Sequence, residues 1–547
     1  MNSVVLLLSG IILFLIAYLT YGRWLAKHWG IDISKQTPAH TKFDNVDYCP
    51  ADAKILLGHH FSSIAGAGPI AGPIQAAIFG WVPVMLWIVL GSIFIGGVHD
   101  FGSLFASIRH GGNSIGEIIR VNIGEKGKKL FNVFAWVTLV LVVAAFTDIC
   151  ASTFAYSPQT PELLTGARSG TASILFIFLA MGFGFFVYRR NAPVGLSTVV
   201  GVALLFFCIY IGYRFPVLKL SKFQWQIILL IYITAASTMP VWLLLQPRDY
   251  LCSFLLYAML IGAFIGILVL HPTMQLAPTT SFTVKGQTLF PFLFVTVACG
   301  AVSGFHSLVS SGTSSKQLNS EKDTQLIGYG SMLIEGVVAI IALIAVGYVA
   351  KSKGTPAEIF ANSCATFMNS FGIPLAIGKV FVTLSFSAFA LTSLDTATRI
   401  GRYIFQEFFQ GSSEKQGEKK SIFTNMYVST LITVFCALGL ILYGYEKIWP
   451  IFGSANQLLA ALALLSLTAW LARRGKKTIM IIIPMIFMFA VTLSALFLII
   501  KSYLFGANPN YILGIMAVIL LVLAIVLAVE AYNTLNKNKK ANTNLGA

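Results

Sequence analysis

The run from His306 to Ser315 puts one imidazole and six hydroxyls (Ser307, Ser310, Ser311, Thr313, Ser314, Ser315) at the end of an apolar segment. On a helix, residue 307 shares a face with 310 and 311. A free carbonyl at Ser307 and the hydroxyls of Ser310 and Ser311 offer oxygen ligands to a hard cation such as sodium. Unwound carbonyls from Ala65 to Gly68 would complete the shell. The alternative is that these hydroxyls bond back to carbonyls one turn earlier, as Ser and Thr commonly do in membrane helices. Glu335 lies near the middle of another apolar run, where an ionisable side chain is expensive. A carboxylate there either loads and releases a proton or serves as a structural partner to a neighbouring hydroxyl. The candidate ion-coupling residues are therefore Ala65, Gly68, Ser307, Ser310, Ser311 and Glu335. The coupling ion is sodium or a proton, and no other cofactor is expected.

Further polar groups fall inside or beside apolar segments. Asp148 and Asp395 lie near segment ends, and Arg399 four residues after Asp395 predicts an ion pair along one helix. His59-His60 and His99-Asp100 lack the i, i+4 spacing of a helical zinc site and a third motif ligand. Hydrogen bonding or proton relay suits them better than metal. Gln246-Pro247-Arg248-Asp249 ends an apolar segment, where it either pins a gate through an Arg–carboxylate bond or forms a turn. Arg248, Asp249, His99 and Asp100 are the candidate gating residues. Asn456-Gln457, soon after Trp449-Pro450, places two amides within a late helix; glue between helices is their default role. The chain contains no GxxxxGK[ST] phosphate loop and no G-x-S-x-G nucleophile elbow, so ATP-driven pumping and hydrolase chemistry lack a motif.

The elements that must position these groups are membrane helices. Of 547 residues, 57% are hydrophobic and only 10% charged, against about 25% charged in a soluble domain. The net charge of +17 is accounted for by Lys and Arg in cytoplasmic loops, and nucleic acid is not an expected partner. Seven cysteines with wide spacings and no CxxC pair predict neither a disulfide framework nor a zinc cluster. The first apolar run lacks a basic leader and a small-residue cleavage site, so it reads as a retained helix.

Residues 58–73 hold four glycines and two prolines at the start of an apolar segment. Gly weakens a helix and Pro removes a backbone donor, so this stretch cannot be uniformly helical. Broken helices at membrane depth build sites in secondary transporters. Spans are predicted near 4–22, 58–80, 82–98, 130–152, 172–188, 193–213, 225–246, 250–270, 289–313, 325–350, 374–398, 424–444, 448–471, 478–500 and 510–532, about fifteen in all. With the N-terminus outside and the C-terminus in the cytoplasm, most of the 37 basic residues fall on the cytoplasmic side.

A second interruption, Ala235 to Pro240, opens another set of five spans. Five is odd, so the two sets start from opposite sides of the membrane, which predicts an inverted repeat. The resulting division is an N-terminal helix and cytoplasmic loop (1–57), a first repeat (58–214), a second repeat (215–400), accessory helices (401–532) and a disordered cytoplasmic tail (533–547). The Gly/Ser/Lys-rich segment 410–420 reads as a flexible linker.

Several stretches are specific enough to identify a family. GHHFSSIAGAGPIAGPIQAA (58–77), GGVHDFGS (96–103), MPVWLLLQPRDYL (239–251), SGFHSLVSSGTSSKQL (303–318), SLDTATR (393–399) and WPIFGSANQLLAALAL (449–464) resemble the carbon starvation protein A (CstA) family of bacterial inner-membrane transporters. The chain looks like the family's shorter form. The resemblance implies a LeuT-type five-plus-five inverted-repeat core with one extra N-terminal and about four extra C-terminal helices in an all-α polytopic protein. It also implies ion-coupled uptake of peptides, or of small carboxylates such as pyruvate, across the cytoplasmic membrane when carbon runs short. Ser63, Gly66, Ala67, Gly68 and Pro69 would then face Ser237, Thr238 and Pro240 across the substrate, with His306 nearby. The rival reading is a membrane nutrient sensor that binds substrate and signals to a partner without net transport. No nucleophile–base pair supports an enzyme. The expected partners are the substrate and the lipid bilayer; the sequence carries no signal of oligomeric state.

Overall fold

A computed structural model of the chain describes residues 2–44, 47–156, 164–190, 192–349, 354–409, 421–506 and 509–544. The predicted linker 410–420 lies outside the described residues. Eleven helices among them are long and apolar enough to cross a membrane. These are α1 (Ser3–Trp29), α4 (Trp81–Arg109), α6 (Glu125–Phe154), α7 (Thr165–Val187), α8 (Val194–Arg214), α10 (Leu245–Leu270), α13 (Glu321–Tyr348), α15 (Leu375–Phe409), α17 (Tyr445–Arg473), α18 (Ile479–Phe505) and α19 (Tyr511–Asn544). Shorter helices occupy the other expected spans: α2 (Ala53–Ile64) with α3 (Gly68–Ala76), α9 (Lys222–Thr238), α11 (Leu289–Thr296) with α12 (Gly304–Gly312), and α16 (Met426–Ile441). Two short amphipathic helices, α5 (Ile115–Asn122) and α14 (Pro356–Asn369), precede the long α6 and α15.

Local sequence explains the ends of these elements. Ser221 and Gln224 cap α9 reciprocally, and Thr355 and Glu358 do the same for α14, each pair satisfying backbone donors left over at a helix start. Pro69 sits in the first turn of α3, where no donor is needed. α10 stops at His271, which adopts a left-handed conformation (φ 49°) and returns its N–H to Ile267 O. A two-residue hairpin pairing Thr283 with Thr288 and Val284 with Gln287 follows it.

Burial separates centre from rim. In α17, 94% of the most apolar stretch is enclosed by other helices, against 17% in α8, so α17 lies at the core and α8 at the lipid-facing edge. α15 lies along α6, and both are largely buried. Such helices, apolar on all faces, belong inside a bundle.

Two expectations change. The span predicted at 225–246 ends at Thr238, and α10 starts at Leu245, so residues 239–244 join two helices instead of interrupting one. Pro240 acts there as a helix stop, since the residue before it is pushed out of the helical region (Met239 ψ 152°). α19 continues to Asn544 instead of ending near Tyr532. No Gly or Pro occurs between those positions to end it.

Candidate functional site

Two broken helices meet at the centre. The first break, Ala65–Ala67, separates α2 from α3; the second, Val297–Ser303, separates α11 from α12. They touch directly. A Cβ added to Gly68 would fall on the side chain of Cys299, and one on Gly72 would lie 2.6 Å from Thr296 O. Only glycine permits that approach. The discontinuity paired with residues 65–67 is therefore at 297–303, not at 235–240. Of the residues expected on the opposite side of the substrate, Ser237 Oγ lies 3.3 Å from Thr430 Oγ1 on α16, Thr238 bonds back to Ala235 O, and Pro240 is exposed. None of the three reaches the breaks.

Unwound backbone must find partners when buried. At the second break those partners are side chains. Val297 O accepts from Trp87 Nε1 (3.1 Å) and Gly300 O from Ser92 Oγ (3.2 Å), both on α4. From α17, Asn456 Oδ1 accepts the Phe305 N–H (2.9 Å), Asn456 Nδ2 donates to Ser303 Oγ (3.0 Å), and Gln457 Nε2 donates to Phe294 O (2.6 Å). The adjacent amides splint both ends of the break, a more specific role than general glue. At the first break, Ser393 Oγ on α15 donates to Ser63 O (2.9 Å), and Thr396 Oγ1 to Ser63 Oγ (3.4 Å). Among the described residues nothing donates to the carbonyls of Ala65 and Gly66. A Cβ on Gly66 would lie 2.8 Å from both Phe146 and Ser393 Oγ.

Two hydroxyls of the run bond within their own helix. Ser307 Oγ donates to Gly304 O (2.7 Å), and Ser311 Oγ donates to Ser307 O (2.7 Å). The carbonyl expected to be free is thus occupied, and the back-bonded alternative describes both residues. Ser310 Oγ is buried without a hydrogen-bond partner among the described residues.

Two buried polar clusters flank the breaks. In the first, His99 Nδ1 and His306 Nδ1 each lie 2.7 Å from one oxygen of Asp100, and His306 Nε2 lies 3.4 Å from Glu335 Oε2. All four side chains are fully buried, and they come from α4, α12 and α13. His306 thus has a carboxylate at each ring nitrogen. An imidazole so placed can accept a proton at one nitrogen and release one from the other. His60 stands nearby on α2, with Nδ1 2.7 Å from Ser314 Oγ.

The second cluster is a latch. Arg248 Nη1 donates to Asp395 Oδ2 and to Tyr232 OH, and Tyr232 OH donates to the same Asp395 oxygen (2.7 Å). Arg248 Nη2 donates to Asp249 Oδ1 (3.2 Å). Asp249 Oδ2 in turn meets His59 Nδ1 (2.9 Å) and Ser63 Oγ (3.2 Å). This ties α2, α9, α10 and α15 together. Asp395 therefore pairs with Arg248 and not, as spacing suggested, with Arg399, which donates to Ala236 O and Met239 O. Asp148 is held by Lys222 (2.9 Å) and Gln226 (2.6 Å), a structural arrangement. Tyr232, Cys299, Ser393 and Thr396 were not picked out from sequence. Their signal was residence in the family-like stretches or in helices already assigned.

On the other side of the breaks from the latch, a cavity of about 420 Å³ opens between α6, α7, α14 and α15. Ala71, Ile149 and Phe386 line its inner part, and Lys379 and Glu358 line its walls. From Lys379 to Phe386, and from Phe386 to Ser393 at the break, are two steps of roughly 10 Å each along a helix rising 1.5 Å per residue.

The model of the carbon starvation protein CstA family matches residues 2–355 and 348–495. The peptide transporter CstA of Escherichia coli is 31% identical, aligned over 90% of this chain and 80% of its own length. The pyruvate/proton symporter BtsT of the same organism is also 31% identical, over 92% and 82%. A crystal structure of a manganese transporter mutant from Eremococcus coleocola superposes with a TM-score of 0.50 at 12% identity, covering 90% of this chain and 99% of the other. That last likeness is one of fold.

Proposed function

The chain belongs to the carbon starvation protein CstA family, and from that premise we propose a proton-coupled secondary transporter that carries a short peptide or a small carboxylate such as pyruvate by alternating access. It would work in the bacterial cytoplasmic membrane, with the N-terminus outside, the C-terminus inside and uptake serving carbon starvation. The observation that carries the reading is the buried chain His99–Asp100–His306–Glu335, with His306 three residues after the second break ends. A proton bound at Glu335 can pass to His306 Nε2, while Nδ1 delivers to Asp100. Helix movement at the break would make or part the 3.4 Å step between His306 and Glu335. The back-bonded hydroxyls of Ser307 and Ser311 favour a proton over sodium.

The element order supports an inverted repeat with a new register. Residues 53–214 and 289–473 each open with a broken helix (α2/α3, α11/α12). A long helix with one wide turn follows, at Ser92–Gly96 in α4 and Gln325–Gly330 in α13. Next come a short amphipathic helix (α5, α14), a long buried one (α6, α15) and two more. The α9–α10 hairpin lies between the halves in place of the start of a repeat at 215. Seven crossings then separate the two starts, which again inverts the second half, and fifteen crossings result in all. In the proposed orientation the cavity faces outside and the Arg248–Asp395 latch closes the cytoplasmic side.

The test is uptake by purified protein in liposomes. An imposed inward proton gradient should drive accumulation of labelled pyruvate or dialanine, and a sodium gradient alone should not. Absence of uptake of either class under both gradients would overturn the proposal.

A further inference from the structure

The open cavity carries one basic and one acidic side chain, and neither takes part in the buried clusters. Lys379 lies in the first two turns of α15, half-buried, and makes no hydrogen bond or ion pair among the described residues. Glu358 lies in the first turn of α14. Its Oε2 accepts the Thr355 N–H (2.9 Å) as the capping box requires, which leaves Oε1 for another donor. Both line the same cavity of about 420 Å³, a volume in the range that holds a small organic ligand. Hydroxyls and an amide (Ser152, Thr165, Asn362) supply the remaining polar wall, and Phe386 and Ile149 close the apolar floor. A monocarboxylate needs only a cation. A short peptide carries an ammonium at one end and a carboxylate at the other, and this wall offers the complement of both.

We infer that the cavity is a first-contact subsite for a free zwitterionic peptide, Lys379 receiving its carboxylate and Glu358 Oε1 its ammonium. The inference rests on the transport reading above but concerns binding, and it is tested without transport. Dialanine, N-acetyl-dialanine and dialanine amide are titrated into the purified full-length chain, with calorimetry or thermal shift as readout. Dialanine should bind about two- to fivefold tighter than either blocked form, the loss of one partly solvated ion pair in each case. Glu358→Gln, which keeps the capping box, should weaken dialanine by the same factor and leave N-acetyl-dialanine unchanged. Lys379→Gln should weaken dialanine and pyruvate alike, and Lys379→Arg should restore both. Equal binding of the three peptides, or additive effects of Glu358→Gln and N-acetylation, would overturn the inference. A failure of proton-driven uptake with this binding pattern intact would overturn the transport reading instead.

Discussion

Gly68→Ala isolates the contact between the two breaks. Gly68 is not in the left-handed region, so alanine meets no backbone obstacle. Its new methyl would overlap Cys299 Cβ and Sγ, while the Cys299 backbone stays at 3.8 Å, an ordinary contact. Cys299 has little room to yield, because it is buried and Asn456 Nδ2 lies 3.6 Å from its sulfur. Forcing a methyl into a packed core costs about 1–3 kcal/mol. Applied to one of two transport conformations, that is a shift of about 5- to 150-fold in their ratio. Gly68→Ala should therefore lower uptake in liposomes at least fivefold with membrane insertion unchanged. Gly68→Ala with Cys299→Gly removes the overlapping atoms and should restore most of the activity, less about 0.5–1 kcal/mol for the added glycine's freedom. At Gly72 the obstacle is the Thr296 backbone oxygen, so Gly72→Ala should be impaired without rescue by any side-chain change. Wild-type uptake by Gly68→Ala, or a double variant no better than the single, would refute the interlocked breaks.

Other consequences follow from the polar clusters. Arg248→Met should destabilise the protein by about 3–5 kcal/mol by stranding Asp395, and Arg248→Met with Asp395→Leu should recover much of the lost melting temperature in detergent; equal stability of the single variant would contradict the latch. Asn456→Ala leaves the Phe305 N–H without its acceptor and should cost about 1–3 kcal/mol, with a larger effect on uptake than on melting because it loosens the break itself. Glu117, outside the spans on α5, is paired with Arg120 (2.5 Å) and Lys128 (2.9 Å). Burial pushes its carboxyl up, but the hydrogen bonds and charges of the two cations outweigh this and hold it below the ordinary carboxylate range. A lowered folded pKa adds stability above the unfolded value of about 4.3 and loses it as pH falls through the folded value. The melting difference between wild type and Glu117→Gln, about 0.2–1 kcal/mol, should be present at pH 7 and vanish in stronger acid.

The first break was legible because Gly66, Gly68 and Pro69 forbid a plain helix. The second was not. Val297–Ser303 is apolar, holds one glycine and no proline, and reads as part of a continuous span. The Pro240 stretch, which has stronger local signals, merely ends α9. What marks 297–303 is remote: Trp87, Ser92, Asn456 and Gln457 supply its hydrogen bonds from far along the chain, the shortest separation being 151 residues. Asp395 shows the same limit. The i, i+4 rule describes an exposed helix face, whereas α15 is enclosed there and Arg248 reaches Asp395 from 147 residues away. His99, Asp100, His306 and Glu335 were each visible as costly groups, but only the packing of α4, α12 and α13 links them.

Proton entry driven by substrate is the most direct measurement. Protein in liposomes loaded with a pH-sensitive dye, held at equal pH on both sides with an inside-negative potential, should acidify the lumen when pyruvate or dialanine is added outside. Glu335→Gln should abolish that signal while the purified variant still binds the substrate. Substrate uptake with no acidification, or full acidification by Glu335→Gln, would contradict a proton carried on the His99–Asp100–His306–Glu335 chain.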